Sequence, residues 1–339
     1  MSTLKNNLDL VIMANPVSPA NKADLIKTIG SPPNSFFLKP LPFISEEIRG
    51  EVIPLNFLPG DILTSSGLEM AIRELMAALV YANSRKAQVI ALTASTKRLG
   101  GRNGERITAL YPDIILTIGD NGTAISFLRL IEHFLSSISS EDTIAVMGAG
   151  YLGELAIEHL LDSGYKNVFV LTEQRLEHFQ NKIRRVKTLE ELPADIKMFI
   201  SCTYKHKISP EIFREKITPD AIILDVSVPP GIKQDVFEAL PKSVTRLDAG
   251  DFLLEGIRYD FPPRLLCFPT KQFFYGCFAE ATMLSLAMQD ENITNLNFLG
   301  INEDATKLVK KYLEAEKASI PLINFFSPPP NGEINYISL

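Results

Sequence analysis

Thr143-Ile-Ala-Val-Met-Gly-Ala-Gly-Tyr-Leu-Gly-Glu-Leu-Ala-Ile157 is the stretch whose reading decides the fold. Ile144 to Met147 is an apolar run of strand length, closed by a glycine turn that opens a helix. Gly148, Gly150 and Gly153 fit G-x-G-x-x-G. The first glycine permits the tight turn, the second lets a pyrophosphate approach bare backbone, and the third lets helix and strand pack closely. The helix start, at Tyr151 and Leu152, offers N–H groups and partial positive charge to phosphates. Leu155, Ala156, Leu160 and Leu161 continue the helix until Ser163-Gly164, and Asn167 to Thr172 reads as the next strand. Glu173 then follows Gly153 at about the 20-residue spacing of an acidic residue that binds a ribose hydroxyl. The context favours a dinucleotide site over a glycine turn in an ordinary βα unit.

The whole chain sets bounds on the rest. Its 339 residues suffice for two domains with sizeable cores. It is 46% apolar and 22% charged, as soluble globular proteins are. A formal charge of -6 without a basic block argues against a nucleic-acid partner. The 3 cysteines, Cys202, Cys267 and Cys277, form no C-x-x-C pair, and the 4 histidines lack metal-ligand spacing. A cytoplasmic setting fits this usage, with no metal expected. No signal peptide or membrane-spanning run is read, which leaves peripheral contact with lipid open.

Before the glycine motif, strands and helices alternate, which predicts an α/β unit with a mostly parallel sheet. Prolines break residues 1–60, with short strands expected at Leu8–Ala14 and Glu51–Leu55. Ser66 and Glu69 suggest a capping box. The helix it would open runs to about Asn83, with Leu68, Ile72, Leu75, Met76 and Leu79 on one face. Val89 to Leu92 and Ile114 to Ile118 read as strands. Between them, Lys97, Arg98, Gly100, Gly101, Arg102 and Gly104 read as a mobile basic loop. Ligands gather at the carboxyl ends of such strands. Thr93, Ser95 and Thr96, with Asn121 and Thr123 of Gly119-Asp-Asn-Gly-Thr123, are therefore candidate substrate-lining residues. Turn chemistry alone would explain both segments equally well.

After the motif, a helix is expected over about Gln174 to Arg185, then strands at Met198–Cys202, Ala221–Val226 and Val244–Leu247. Cys202 and Thr203 would lie beside the nicotinamide. Helices are expected from Cys277 and over Asn302–Lys317, the second clearly amphipathic, followed by the irregular tail Phe325-Phe-Ser-Pro-Pro-Pro330.

No Ser-His-Asp order stands out, so cysteine is the side chain of interest. Cys277 follows Gly276 at a helix start, where a thiol pKa is lowered. Glu280, one turn on, would cap the helix or hold a proton. Buried structural cysteine is the competing reading of Cys277, and a strand-end filler that of Cys202.

Tyr275-Gly-Cys-Phe-Ala-Glu-Ala-Thr-Met-Leu284 resembles the A-C-F-A-E-A-x-x-L motif of the long-chain acyl-[acyl-carrier-protein] reductases. Leu58-Pro59 before a helix, Ala91-Leu-Thr-Ala-Ser-Thr96, Thr117-Ile-Gly-Asp-Asn-Gly-Thr-Ala124 and Ile320-Pro-Leu322 extend the likeness over most of residues 50–325. The resemblance implies an N-terminal α/β substrate domain (1–139), a Rossmann NAD(P)-binding domain (140–262) and a C-terminal helical segment (263–339) packed on the first. It implies that Cys277 attacks an acyl thioester, carried by acyl carrier protein or coenzyme A. Gly276 and the helix start would hold the oxyanion, and an aldehyde would be the product. That family typically uses NADPH, with an arginine past the second strand. Here the segment is Thr172-Glu-Gln-Arg175: Glu173 suits NADH, and Arg175 could reach the phosphate of NADPH. Two other readings stay open. One is a shikimate- or glutamyl-tRNA-reductase-like dehydrogenase acting on a small polar substrate, which Val146-Met-Gly-Ala-Gly150 and Asp225-Val-Ser-Val-Pro229 suit as well and which would want a Lys–Asp pair. The other is a nucleotide-binding protein without chemistry.

Overall fold

Short apolar runs become the inner strands of two α/β units. The computed structural model describes residues 7–30, 37–44, 47–101, 104–291, 293, 296–327 and 333–339. Arg102 and Pro328 to Pro330, named above, lie outside them. The first part of the chain forms β1 (Leu10–Ala14), α1 (Pro19–Ile29), β2 (Leu41–Ile44), β3 (Arg49–Pro54), α2 (Ser65–Ser84), β4 (Val89–Leu92), α3 (Glu105–Leu110), β5 (Ile115–Thr117) and α4 (Asp120–Leu135). Next come β6 (Thr143–Met147), α5 (Tyr151–Asp162), β7 (Val168–Leu171), β8 (Arg184–Val186), β9 (Ile196–Ser201), α6 (Pro210–Lys216), β10 (Ile217–Asp225), α7 (Gln234–Glu238) and β11 (Thr245–Asp248). The remainder is β12 (Asp251–Leu253), β13 (Arg258–Tyr259), β14 (Phe273–Tyr275), α8 (Gly276–Asp290), α9 (Glu303–Ala315), β15 (Ser319–Leu322) and β16 (Asn335–Ser338).

The first unit comprises Met1–Thr123, Phe252–Ser319 and Ser338–Leu339. Its sheet runs β13-β2-β3-β1-β4-β5. The four strands β3-β1-β4-β5 are parallel, with Ile12 opposite both Val52 and Ala91 and with Ala91 opposite Thr117. β2 and β13 extend it antiparallel. β1 and β4 are buried at every position, as strands covered on both faces should be. α8 packs on β1 and β4 and is buried from Phe278 to Ala287, so a C-terminal helix completes the first unit.

Helix α2 departs from expectation in two ways. The capping box at Ser66 and Glu69 does not form. Thr64 is the cap, its Oγ1 accepting the Gly67 N–H at 3.2 Å, while Glu69 pairs with Arg73. The buried stripe is also rotated onto Ala71, Leu75, Ala78, Leu79 and Ala82, leaving Leu68 and Ile72 each 38% exposed. Alanines let the helix lie close to the sheet, and apolar side chains on nearly every side made the face ambiguous. Glu74 enters the buried face because its carboxylate accepts the Asn56 N–H at 2.6 Å. Burial raises this carboxyl to about 7.

The second unit comprises Ala124–Asp251 and Ile320–Ile337. Its sheet, β11-β10-β9-β6-β7-β8, is parallel throughout, with Val146 opposite both Val170 and Ile200. Numbered within the unit, the strand order is 3-2-1-4-5-6, that of the doubly wound dinucleotide-binding fold. The helix expected over Gln174–Arg185 is replaced by a single turn at Glu177–Phe179 and the edge strand β8. Leu176, Phe179 and Val186 are buried, a spacing that serves a folded-back loop and a strand end rather than a helix face. The chain leaves the first unit inside α4, and its segment 320–337 belongs to the second unit. There the Asp248 N–H donates to the Ile323 carbonyl at 2.8 Å.

Arg246 is the charged anchor of this unit. Its guanidinium lies fully inside, 2.8 and 2.9 Å from the two oxygens of Asp248 and 3.2 Å from Asp225, and 4.2 Å above the Phe326 ring. Burial raises the Asp248 carboxyl, and Arg246 opposes that rise. Arg246→Leu would leave two buried carboxyls facing each other. Its expected cost is about 3–5 kcal/mol, read from a denaturant melt, and a loss below about 1 kcal/mol would show the pairing to be dispensable.

Candidate functional site

The glycine motif in the second unit is built as its spacing predicts. β6 ends at Met147, and Gly148 turns the chain at φ +92. A Cβ on Gly148 would fall 2.7 Å from the Thr203 side chain, and one on Gly153 would fall 2.0 Å from the Gly148 carbonyl oxygen. Gly150 differs: it caps α5, and a Cβ there meets nothing within 4 Å. Two glycines are therefore demanded by packing, and the middle one leaves open space at the start of a 12-residue helix. These residues suit a dinucleotide pyrophosphate, with Tyr151 and Leu152 in the first turn of α5.

Of the other expected cofactor residues, Cys202 and Thr203 lie against that turn. The Cys202 N–H donates to the Met147 carbonyl at 2.8 Å, which ties the end of β9 beneath the loop. Desolvation raises the Cys202 thiol well above its ordinary value, and the Asp225 charge adds to the rise, so it stays protonated at neutral pH. Thr172 is buried, its Oγ1 accepting the Gln174 N–H, whereas Glu173 and Arg175 are exposed. Arg175 and Arg185 line a cleft of about 450 Å³ together with Gln180 and Asn181.

In the first unit, the ends of β4 and β5 meet the start of α8. Thr93 and Thr96 do not present hydroxyls to a ligand: they are 1% and 0% exposed. Thr93 donates to the Met13 carbonyl at 3.0 Å and Thr96 to the Thr93 carbonyl at 2.6 Å. Ser95 is buried, its N–H held by Asn15. Thr123 donates to the Gly119 carbonyl at 2.8 Å. The Asn121 amide is spent inside, donating to the Gly300 carbonyl and accepting from the Asn302 N–H and the Thr306 hydroxyl. These side chains are spent on internal hydrogen bonds because each strand end must satisfy its own backbone groups.

Cys277 is half-buried at the second position of α8, and Gly276 is buried beside it. Gly119, at φ +75, would place a Cβ 2.1 Å from that of Cys277, and Gly122 would place one 2.4 Å from the Gly276 carbonyl oxygen. These two glycines let the starts of α4 and α8 press together. Glu280 is fully buried one turn on, 2.7 Å from the Gly122 nitrogen and 2.5 Å from the Thr117 hydroxyl. Burial raises its carboxyl to about 7, against the lowering effect of these hydrogen bonds. Cys267 is exposed at φ +60 after a short turn.

Sequence reading overlooked the pair that now stands out. Lys97 Nζ lies 2.9 Å from Asp120 Oδ1, joining the segments that follow β4 and β5. The Asp120 side chain is 8% exposed and that of Lys97 is 39% exposed. Lys97 had been read into a mobile loop. Thr96–Arg98 is instead a helical turn, and a Cβ on Gly100 would fall 2.8 Å from Ile107, so the segment is packed. The available signal was position, since both residues closely follow strand ends in one sheet. Among the described residues no group of three or more His, Cys, Asp or Glu could hold a metal ion, and no helix is long and apolar enough to cross a membrane.

Residues 130–249 match the family model described as shikimate / quinate 5-dehydrogenase. This overturns the resemblance to the long-chain acyl-[acyl-carrier-protein] reductases, whose A-C-F-A-E-A-x-x-L likeness lies on a short buried helix start outside the matched segment. The family model reads the glycine motif and the strands after it. No curated protein matches the chain. Similar solved structures include shikimate dehydrogenase 1 from Peptoclostridium difficile, at 13% identity over 91% of this chain and 98% of that one, with a TM-score of 0.40. A putative malic enzyme is similar at 15% identity over 92% of this chain and 85% of that one, TM-score 0.39. An NAD-complexed D-isomer specific 2-hydroxyacid dehydrogenase from Lactobacillus delbrueckii ssp. bulgaricus is similar at 12% identity over 71% and 79%, TM-score 0.33. These are loose likenesses.

Proposed function

We propose that the protein is an NAD(P)-dependent dehydrogenase that interconverts a secondary alcohol and a ketone on a small polar substrate, as a shikimate- or quinate-type dehydrogenase does. The observation that carries this reading is the Lys97–Asp120 pair at 2.9 Å, beside the carboxyl ends of β4 and β5. The family match over residues 130–249 supports the dehydrogenase class.

The residues fit the cofactor. Gly148, Gly150 and Gly153 with the start of α5 would hold the pyrophosphate, Glu173 or Arg175 would meet the ribose, and Cys202 and Thr203 would border the nicotinamide side. When bound, the nicotinamide supplies or accepts a hydride. In the reducing direction Lys97 donates a proton to the carbonyl oxygen, which becomes a hydroxyl. In the oxidising direction its neutral amine takes the hydroxyl proton. Asp120 orients the amine and offsets its charge. Cys277 and Gly276 line the same pressed helix starts and need no covalent role in such a reaction.

The test is oxidation of a panel of small hydroxy acids, shikimate and quinate among them, with NAD or NADP, followed through reduced-nicotinamide absorbance. Turnover that disappears in Lys97→Met is the expected result. Turnover that persists at the wild-type rate in that variant would remove the assignment. Coenzyme choice has its own check. Glu173→Ala is expected to improve NADPH use relative to NADH by about tenfold, through relief of charge repulsion. An unchanged ratio would mean that Glu173 does not meet the ribose.

A further inference from the structure

Glu280, expected above as a catalytic group, sits in a different relation to the chemistry. It is fully buried on α8, and among the described residues the hydrogen bonds to its carboxylate come from the segment that leads into Asp120 or follows it. Oε1 accepts from the Thr117 hydroxyl at 2.5 Å and from the Asn121 amide at 3.3 Å, and Oε2 accepts from the Gly122 N–H at 2.7 Å. Thr117 Oγ1 in turn accepts the Gly119 N–H at 2.9 Å. Asp120 is thus held on both sides by residues that Glu280 binds, and Asn121 is further tied to Asn302 and Thr306 at the start of α9. The carboxylate also occupies the N-terminal end of α4, where negative charge is favoured.

We propose that Glu280 is the positioning residue of the Lys97–Asp120 pair: it clamps the first turn of α4 so that Asp120 is presented to Lys97. This rests on the dehydrogenase reading above. Protonating Glu280 removes its charge and turns one carboxylate oxygen into a donor, which weakens its hold on these three donors. The charged groups on that side are Asp120, whose charge adds to the raised value of about 7, and Lys97 beyond it. β5 and the α9 cap contribute the neutral Thr117, Asn302 and Thr306, and Cys277 shares the helix of Glu280.

E280Q tests the clamp by two readouts. In steady-state turnover, kcat falls about tenfold with the coenzyme KM unchanged. Wild-type kcat/KM declines as pH drops through about 7, and E280Q loses that decline. The second readout needs no substrate: the rate at which a water-soluble acylating reagent modifies Lys97, followed by peptide mass spectrometry. D120N and E280Q should both label several-fold faster than wild type. Labelling of E280Q at the wild-type rate while D120N is faster overturns the clamp and leaves the dehydrogenase reading intact. Equal labelling of wild type and D120N overturns the Lys97–Asp120 pair, and the clamp with it. T117V removes one donor at nearly constant volume and replaces E280Q if that variant does not fold, with the same direction expected in both readouts.

Discussion

Lys97→Met lowers turnover of a polar hydroxy acid by about 10²–10⁴-fold, the contribution of one general acid or base, while coenzyme affinity stays at the wild-type level. The argument is positional. The first-unit sheet ends at β4 and β5 in two segments whose other polar side chains are consumed internally. Thr93 bonds back to the Met13 carbonyl of β1 and Thr96 to the Thr93 carbonyl, and Asn121 is bonded by residues of α8 and of the α9 start. Lys97 keeps an exposed part while its charge is met by a nearly buried carboxylate. An amine so held can exchange a proton with a substrate without leaving its place. Asp120→Asn should retain part of the activity, because it keeps the shape and loses the countercharge. Lys97→Arg should not restore turnover, since a guanidinium does not give up its proton near neutral pH. If Lys97→Met lost coenzyme affinity and turnover in equal measure, the residue would be serving binding rather than chemistry.

Gly150→Ala and Gly153→Ala separate the two tasks of the glycine motif. Gly153→Ala forces a methyl to within 2.0 Å of the Gly148 carbonyl oxygen, which is backbone and cannot yield cheaply. Helix and strand must move apart, so the variant loses stability as well as dinucleotide binding, the first by about 2–4 kcal/mol. Gly150→Ala adds a methyl where nothing lies within 4 Å, at an extended backbone conformation that alanine adopts readily. Its melting temperature should be unchanged, yet NAD(P) affinity should fall by about tenfold or more, because the methyl occupies the approach of the pyrophosphate. Thermal melts with and without coenzyme make the comparison. A Gly150→Ala protein that binds coenzyme normally would show that the phosphates do not pass over that residue.

Much of the second unit was legible in the chain. Ile144 to Met147 had to be a buried strand, and three glycines at that spacing left little else for the turn. The helix expected over Gln174–Arg185 was not formed, because the choice between a folded-back loop and a helix there depends on whether an edge strand can pair with β7. In α2 the helix itself was plain and its buried face was not. Alanines and leucines surround the axis, and only contact with the sheet selects among them. The acyl-reductase likeness failed for a related reason: a short run such as Gly276 to Leu284 is what a helix start pressed against a glycine turn requires, whatever the chemistry nearby.

The glycine turn after β6 and the alternation of strands and helices are readable in the chain alone, since each depends on residues near one another along it. Only the tertiary structure decided that Lys97 meets Asp120, that Glu280 holds the turn between them, and that Arg246 lies between two aspartates. Those contacts join residues whose separation along the chain carries no periodicity. They exist because parallel strands bring distant loops to one edge of a sheet, and burial then makes each charged group find its partner.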